Sequence, residues 1–343
     1  MQQASEAVTL FRRHPQPLLT PVPELPWASG AVFNPGAWYD GTRVHLLIRG
    51  VPAGYRRIRL QDVPPGEPEW GFEPYVSYIG YADSTDGVHF VIRRQPLIQP
   101  DAPYDRFGVE DPRISRIDDL YLITYTALGA PAFARPGCVR IGLAVTRDFQ
   151  TITKCGLIGP DTTDKDAVIF PRRIRGRIAM LHRIVPSIQL IYFEDLEQLF
   201  KPPASLWERH LATLDEHVVL RPEFPWEAKK IGAGPTPIET PEGWLLLYHG
   251  VDAHHVYRMG MALLDLDDPR RVIARTPEPV LAPELPFEQE GDVPHVVFPE
   301  GAVVINGELY VYYGAADRTI GLARASLSDV LAYLRRCVVR QTS

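Results

Sequence analysis

The sequence predicts an all-β fold, a five-bladed β-propeller with a short C-terminal helix, and two observations predict it. One phrase recurs five times: an X-Pro step, a turn, then an aromatic-rich run ending in a polar or charged residue. The copies are FNPGAWYDGTRVHLLIR (33–49), EDPRISRIDDLYLITYT (110–126), IFPRRIRGRIAMLHR (169–183), PTPIETPEGWLLLYH (235–249) and VFPEGAVVINGELYVYYG (297–314). Each reads as a β-hairpin. A third strand then follows every copy, starting at Tyr78, Arg140, Leu190, Arg258 and Thr319. A unit repeated at intervals of roughly sixty to eighty residues is the signature of sheets arranged around an axis. The 26 Gly and 34 Pro among 343 residues suit a chain rich in turns.

The other elements follow in chain order. Residues 1–30 are Pro-rich and read as a lead-in segment that packs on the first blade. Residues 54–74 interrupt that blade with Pro64-Pro65-Gly66 and with aromatics that include Trp70 and Phe72. Loops of this length are usually binding loops or lids. A second insertion spans residues 130–137. Residues 194–200 are ambiguous. Residues 327–340 read as a helix, because SDVLAYLRRCVVR has an N-cap candidate and apolar spacings of three and four. All-β folds of this size commonly form a single domain, so residues 1–343 are expected to be one.

A net charge of -6 and a pI near 5.9 argue against binding driven by a nucleic-acid backbone. Cys138, Cys155 and Cys337 are odd in number and far apart, so they form neither a disulfide framework nor a CxxC metal site. The N-terminal residues carry no signal-peptide pattern, and no apolar run approaches the ~18 to 20 residues of a membrane span. The expectation is a cytoplasmic protein with no membrane partner; homo-oligomerisation stays open. Only five of the 36 basic residues are lysines, so a lysine here has more often been chosen for a reason.

The repeat says where chemistry sits. The inner strand of each propeller blade starts at the axis, so equivalent residues of distant segments become neighbours. The first-position residues are Asn34, Asp111, Phe170, Thr236 and Phe298; the strand-end residues are Arg49, Tyr125, Arg183, His249 and Tyr313. Asp111, in the run Gly108 to Arg113, is the sharpest candidate. Pro112 should hold it extended, and a plain turn-capping Asp is the bland alternative. Lys165, Arg183, Lys230, His249 and Tyr257 are each ordinary surface or core residues taken singly, but together they would make a compact anion site, for which Arg and Lys are suited. Asp292 and Asp317 are further carboxylates of the fifth blade, and Glu110 reads as a structural partner of Asp111. His254 and His255 lack a second ligand pair, so no metal is expected. Trp38, Trp70, Trp226, Tyr104 and Phe107 are candidate sugar-stacking platforms.

The motifs NPGAWYD, GVEDPRI, KDAVIFP, MLHR, KIGAGPTPI, GWLLLYHGVD, YRMGMALLDLDDP and GDVPHVVFPEGA together resemble glycoside hydrolase family 130, over residues 30 to 325. The resemblance implies a five-bladed propeller enzyme, most members being inverting phosphorylases of nonreducing β-mannosides. Phosphate, a co-substrate and not a cofactor, attacks the anomeric carbon and α-mannose 1-phosphate leaves. It implies that Asp111 is the general acid, acting through a sugar hydroxyl. Phosphate contacts fall on Lys165, Arg183, Lys230, His249 and Tyr257, and mannosyl contacts on Asn34, Arg49 and Asp317; Asp292 joins them as a substrate-side carboxylate. At Lys165 relatives often carry Arg, so the charge is kept and a bidentate fork is lost. One acid facing a cationic cluster fits phosphorolysis, since hydrolysis also needs a base to activate water. The alternatives are a β-mannoside hydrolase on the same fold and a non-catalytic carbohydrate-binding propeller.

Overall fold

The structure is a computed structural model and describes residues 10–60, 69–131 and 137–339. Five antiparallel sheets form the blades of a propeller, and the chain fills them in sequence order. Blade 1 contains strands Ala31–Tyr39, Val44–Val51, Tyr78–Ser84 and Val91–Ile92. Blade 2 contains Val109–Ile117, Leu120–Leu128, Val139–Thr146 and Thr153–Leu157. Blade 3 contains Lys165–Ile169, Ile178–Arg183, Ile188–Phe193 and Val218–Leu220. In blade 4 the inner strand is split into Lys230–Ala233 and Ile238–Thr240, followed by Gly243–Val251, Tyr257–Leu264 and Val272–Arg275. Blade 5 contains Val297–Ile305, Glu308–Ala315 and Thr319–Ser326.

The fourth strand of blade 5 comes from the other end of the chain. Arg12 and Arg13 pair with Arg324 and Ala323, and Leu19 bridges to Ile320. The lead-in segment packs on blade 1 as expected, through Leu25, Trp27 and Ala28, but before that it closes the ring on blade 5, which was not expected. Apolar side chains alternate along the strands and meet between neighbouring blades. One such layer joins Leu245, Met259 and Met261 of blade 4 to Val297, Val311 and Ala323 of blade 5.

Three further corrections concern the added elements. The C-terminal helix is shorter than expected, Leu327–Leu334, with Ser326 Oγ accepting from the Asp329 amide at its start. It stops because the chain turns back to lay Val338 against Ala274 of blade 4. The ambiguous stretch is helical over Leu196–Phe200, and a second helix, Ala204–Ala212, follows. Trp207 and His210 are its buried side, a pattern the sequence reading passed over. The interruption in blade 1 contains a hairpin, Arg56–Arg59 with Trp70–Glu73; residues 61–68 within it, and most of the 130–137 insertion, lie outside the described residues. Among the described residues no helix is long and apolar enough to cross a membrane.

Candidate active site

The register of the innermost hairpins builds the site. At their axial ends the paired residues are Phe33 with Arg49, Glu110 with Thr126, Lys165 with Arg183, Gly232 with His249, and Phe298 with Gly314. Immediately after this pair the inner strands of blades 1, 2 and 3 bulge, and that of blade 5 bulges one pair later, at Glu300 between Pro299 and Gly301. A bulge adds a residue, bends the strand and re-aims a side chain. In blades 1 to 3 the bulged residue is Asn34, Asp111 or Asp166, with φ of 45°, 50° and 55°. Asp111 is thus left-handed where an extended conformation was expected from Pro112. Asn and Asp tolerate that region better than other residues with a Cβ, which accounts for the residue types found there. Strain of this kind persists where surrounding contacts over-determine it.

This register corrects several sequence alignments. Blade 3 aligns through Lys165-Asp166-Ala167, so Asp166 and not Phe170 is the counterpart of Asn34 and Asp111. Phe170 is fully buried between blades 3 and 4. Thr236 lies with Pro171 and Trp38 around a cavity of about 210 Å3 bordered by Ala37, Ile238 and Val303, all from later positions of the inner strands. Tyr125 and Tyr313 are one residue out of register with Arg49, Arg183 and His249, and a slip of one residue turns a side chain to the other face. They are core residues instead, Tyr125 near Asp105 and Tyr313 donating to Glu288 at 2.6 Å. Trp226 is likewise buried, stacked on Tyr248.

Asp111 is 1% exposed. Its Oδ1 accepts from Asn34 Nδ2 at 2.8 Å and from Arg49 Nη1 at 2.9 Å; its Oδ2 accepts from Lys165 Nζ at 3.0 Å. Asn34 reaches this position only because Gly314 faces it: a Cβ there would overlap Asn34 Oδ1. Burial alone would raise the Asp111 pKa, but the Lys165, Arg49 and Arg113 cations outweigh it and hold the carboxyl below its usual range. Glu110 goes the other way, raised by burial despite its ion pair with Arg49. Adjacent carboxyls driven apart are a feature of acid-base sites. Asp317 (φ 51°) stands close enough for Arg49 and Asp111 to bear on it, and burial, offset in part by Arg49, pushes it up to about 7.

Across the axis Arg183 Nη1 sits 2.8 Å from Asp166 Oδ2 and 3.2 Å from His249 Nε2. Arginine only donates, so His249 Nε2 accepts and its proton is on Nδ1. Burial, aided by the Arg183, Arg113 and Lys230 charges, holds the His249 pKa well below its ordinary value, consistent with a neutral ring. Arg183 Nε and His249 Nδ1 are buried and, among the described residues, have no hydrogen-bond partner. Two N–H donors left in this state are costly unless a ligand meets them. The Tyr257 and Phe298 rings stand 6.0 Å and 4.4 Å from the His249 ring. Lys230 opens the same strand two residues before Gly232, the partner of His249.

Beneath these groups Arg113 is a plug that the sequence reading missed. Its guanidinium donates to the carbonyls of Asp111, Ala233 and Gly234 and to Asp166, with Glu300 Oε1 at 3.7 Å. Glu300, 1% exposed, occupies the blade 5 bulge where blades 1 and 2 have Pro35 and Pro112. Burial raises its pKa far above the carboxylate range. Asp292 is bonded outside this cluster: it accepts from the Tyr55 hydroxyl and from Arg318 Nη1 at 3.0 Å, while its carbonyl accepts from Arg57. The hairpin of blade 1 is thereby tied to blade 5, and it carries Tyr55, Phe72 and Tyr75 as a ring cluster beside Arg49.

Comparison with known proteins gives the same picture over nearly the whole chain. A family model described as β-1,4-mannooligosaccharide phosphorylase matches residues 69–336. A 1,2-β-oligomannan phosphorylase from a Thermoanaerobacter species is 37% identical over 94% of this chain and 99% of its own length. A β-1,2-mannobiose phosphorylase from the same organism is 40% identical, over 92% and 96% respectively. Among solved structures, the β-1,2-mannobiose phosphorylase of Listeria innocua, in complex with β-1,2-mannobiose, superposes with a TM-score of 0.77 at 29% identity. That match covers 95% of this chain and 99% of that one.

Proposed function

The chain belongs to glycoside hydrolase family 130, and from that membership and the geometry of the site we propose that it is an inverting phosphorylase of β-1,2-linked mannosides. The linkage follows the three relatives that match over more than nine-tenths of the chain, all named for it. The observation that carries phosphorolysis is the pair of buried, unpartnered donors Arg183 Nε and His249 Nδ1, flanked by Lys165, Lys230 and Tyr257. A tetrahedral oxyanion with several acceptor oxygens fits such a set; a water nucleophile does not need it.

In this reading the mannosyl residue lies between Asn34, Arg49, Asp111 and Asp317. A phosphate oxygen attacks the anomeric carbon on the side of Arg183 and His249. The glycosidic bond to the leaving oxygen breaks, and that oxygen takes a proton originating on Asp111. The products are α-mannose 1-phosphate and a sugar shortened by one unit. Asp166 neutralises the buried cations without occupying Arg183 Nε. Asp292 supports the site through the blade 1 hairpin.

The test is incubation of the protein with β-1,2-mannobiose and, separately, β-1,4-mannobiose, each with and without inorganic phosphate. α-Mannose 1-phosphate should form from the 1,2-linked sugar only when phosphate is present. Free mannose at equal rates with and without phosphate would replace this reading with a hydrolase, and preference for the 1,4-linked sugar would overturn the linkage.

A further inference from the structure

The two oxygens of Asp111 have different partners. Oδ1 already receives two N–H donors, from Asn34 and Arg49, and Oδ2 receives the ammonium of Lys165. A carboxyl acting as an acid must carry its proton on one oxygen. Oδ1 is the poorer choice, because a proton there would displace donors held by two buried strands. Oδ2 is the better one, but an ammonium has three donors and no acceptor, so protonated Oδ2 and Lys165 cannot keep their hydrogen bond. Lys165 pairs across the strands with Arg183, whose Nε is unpartnered. An anion held by Arg183 therefore has Lys165 as its neighbour.

We propose that phosphate binding draws Lys165 away from Asp111 and that Asp111 takes up a solvent proton on Oδ2 as phosphate binds, so the acid is armed only once the nucleophile is in place. This rests on the reading of the cationic cluster as a phosphate site. Lys165 is then a positioning residue for the acid as well as a phosphate contact. Asp111 is faced by Arg49 from blade 1, Lys165 from blade 3, Glu300 and Asp317 from blade 5, and Glu110 and Arg113 from its own strand, while Asp166 of blade 3 acts on the same Lys165 and Arg113. In the free protein the cations prevail and the carboxyl is ionised. Phosphate cancels one of those cations and adds a like charge nearby, and both changes favour the neutral carboxyl. The balance is simple: a proton from solvent joins Oδ2, Lys165 keeps its three hydrogens, and no covalent bond of the protein changes. During turnover the leaving oxygen receives that proton.

Sulfate is the probe, because it has the shape and charge of phosphate and no proton to exchange near neutrality. Calorimetric titration in buffers of different ionisation enthalpy, at about pH 6, counts the protons taken up on binding. The wild-type protein should take up protons as sulfate binds. Asp111→Asn should bind sulfate with that uptake lost, and Asp317→Asn, which removes the neighbouring acid, should retain it. Lys165→Met, which starts without the ammonium on Oδ2, should show a smaller uptake than wild type. Sulfate binding with no proton uptake, or equal uptake in Asp111→Asn, overturns the inference while leaving the phosphate site standing. Failure of both sulfate and phosphate to bind overturns the phosphate reading as well.

Discussion

Arg183 Nη1 lies 2.8 Å from Asp166 Oδ2, with both side chains buried. The same oxygen is 3.6 Å from His249 Nε2, and the other carboxylate oxygen is 3.4 Å from Arg113 Nη2. One carboxylate is thus the shared counter-charge of two arginines at the axis of the propeller. Gly232 leaves room for this grouping, since a Cβ there would press on Asp166 and His249 together.

Asp166→Asn should therefore destabilise the fold. Removing one member of a buried ion pair leaves the other charge uncompensated, at a cost of about 3 to 5 kcal/mol. The quantity to measure is the urea midpoint at unchanged m-value. A loss below about 1 kcal/mol, the level of an exposed pair, would show that Asp166 is not the counter-charge the geometry makes it.

Asp111→Asn keeps the shape of the side chain, Glu110 remains as a counter-charge for Arg49, and Lys165 is partly exposed, so the fold and sugar binding should survive with less loss of stability than in Asp166→Asn. Turnover should fall by ~10² to 10⁴-fold, the contribution of a positioned acid. Formation of α-mannose 1-phosphate is the assay, with a melting curve as control. Retention of more than a tenth of the wild-type rate would remove Asp111 from the acid's role.

The five-blade architecture was legible because the strands alternate and the hairpins repeat, and the axial cluster was legible wherever the repeat was aligned correctly. It failed where Pro was used as the marker. In blade 3 the bulge is Asp166-Ala167, without a proline, so the X-Pro alignment led to Phe170. Asn or Asp beginning the bulge is the better signal, and Asn34, Asp111 and Asp166 all carry it. Tyr125 and Tyr313 were misplaced by a single residue of register, which hydrophobic alternation alone could have corrected, since both lie on the apolar face. Arg113 and Glu300 had no local signal. Their roles come from three or four separate blades meeting at the axis, and nothing in their own segments records that.

Gly314→Ala tests the closest packing at the site. The new Cβ would overlap Asn34 Oδ1 and push Asn34 away from Asp111. Activity should drop sharply and stability should fall by about 1 to 3 kcal/mol, the usual cost of overpacking a core. Adding Asn34→Ala should restore most of the stability by removing the clash, but not the activity, because the donor to Asp111 Oδ1 is still missing. A Gly314→Ala protein with wild-type kinetics would show that the Asn34 contact is dispensable.

A histidine chain outside the site gives a pH prediction. Asp164 Oδ2 bonds His182 Nδ1 at 2.8 Å, His182 Nε2 bonds His210 Nε2 at 2.8 Å, and Asp164 Oδ1 accepts from the Arg183 amide at 3.1 Å. Burial, then the neighbouring His182 and His217, lowers His210 from 6.5 to about 3. The unfolded chain therefore binds the proton first. The stability His210 contributes is complete above its unfolded pKa of 6.5 and is lost as pH falls toward its folded value of about 3. His210→Gln, which cannot titrate, should flatten the rise of stability with pH in that window, at about 1.4 kcal/mol for each unit of depression removed. Parallel stability curves for the two proteins would show that His210 is not held neutral.

Arg183 offers the sharpest kinetic test of the phosphate site. Its Nη1 is committed to Asp166 and His249, while its Nε is buried without a partner among the described residues. Arg183→Ala removes both functions, and losing a hydrogen bond to a charged group costs roughly 1.5 to 3 kcal/mol, or about ten- to more than a hundredfold in affinity. The KM for phosphate should rise by that factor and the KM for the mannoside by much less. Lys230→Ala should act in the same direction but more weakly, as the loss of a point charge with rotatable donors. Arg183→Lys separates charge from geometry. An ammonium can answer Asp166 but cannot also present a fixed second donor, so it should preserve stability while leaving much of the phosphate defect. If the mannoside KM rose in these variants while the phosphate KM stayed constant, Arg183 and Lys230 would belong to the sugar's side of the pocket and the anion site would have to be placed elsewhere.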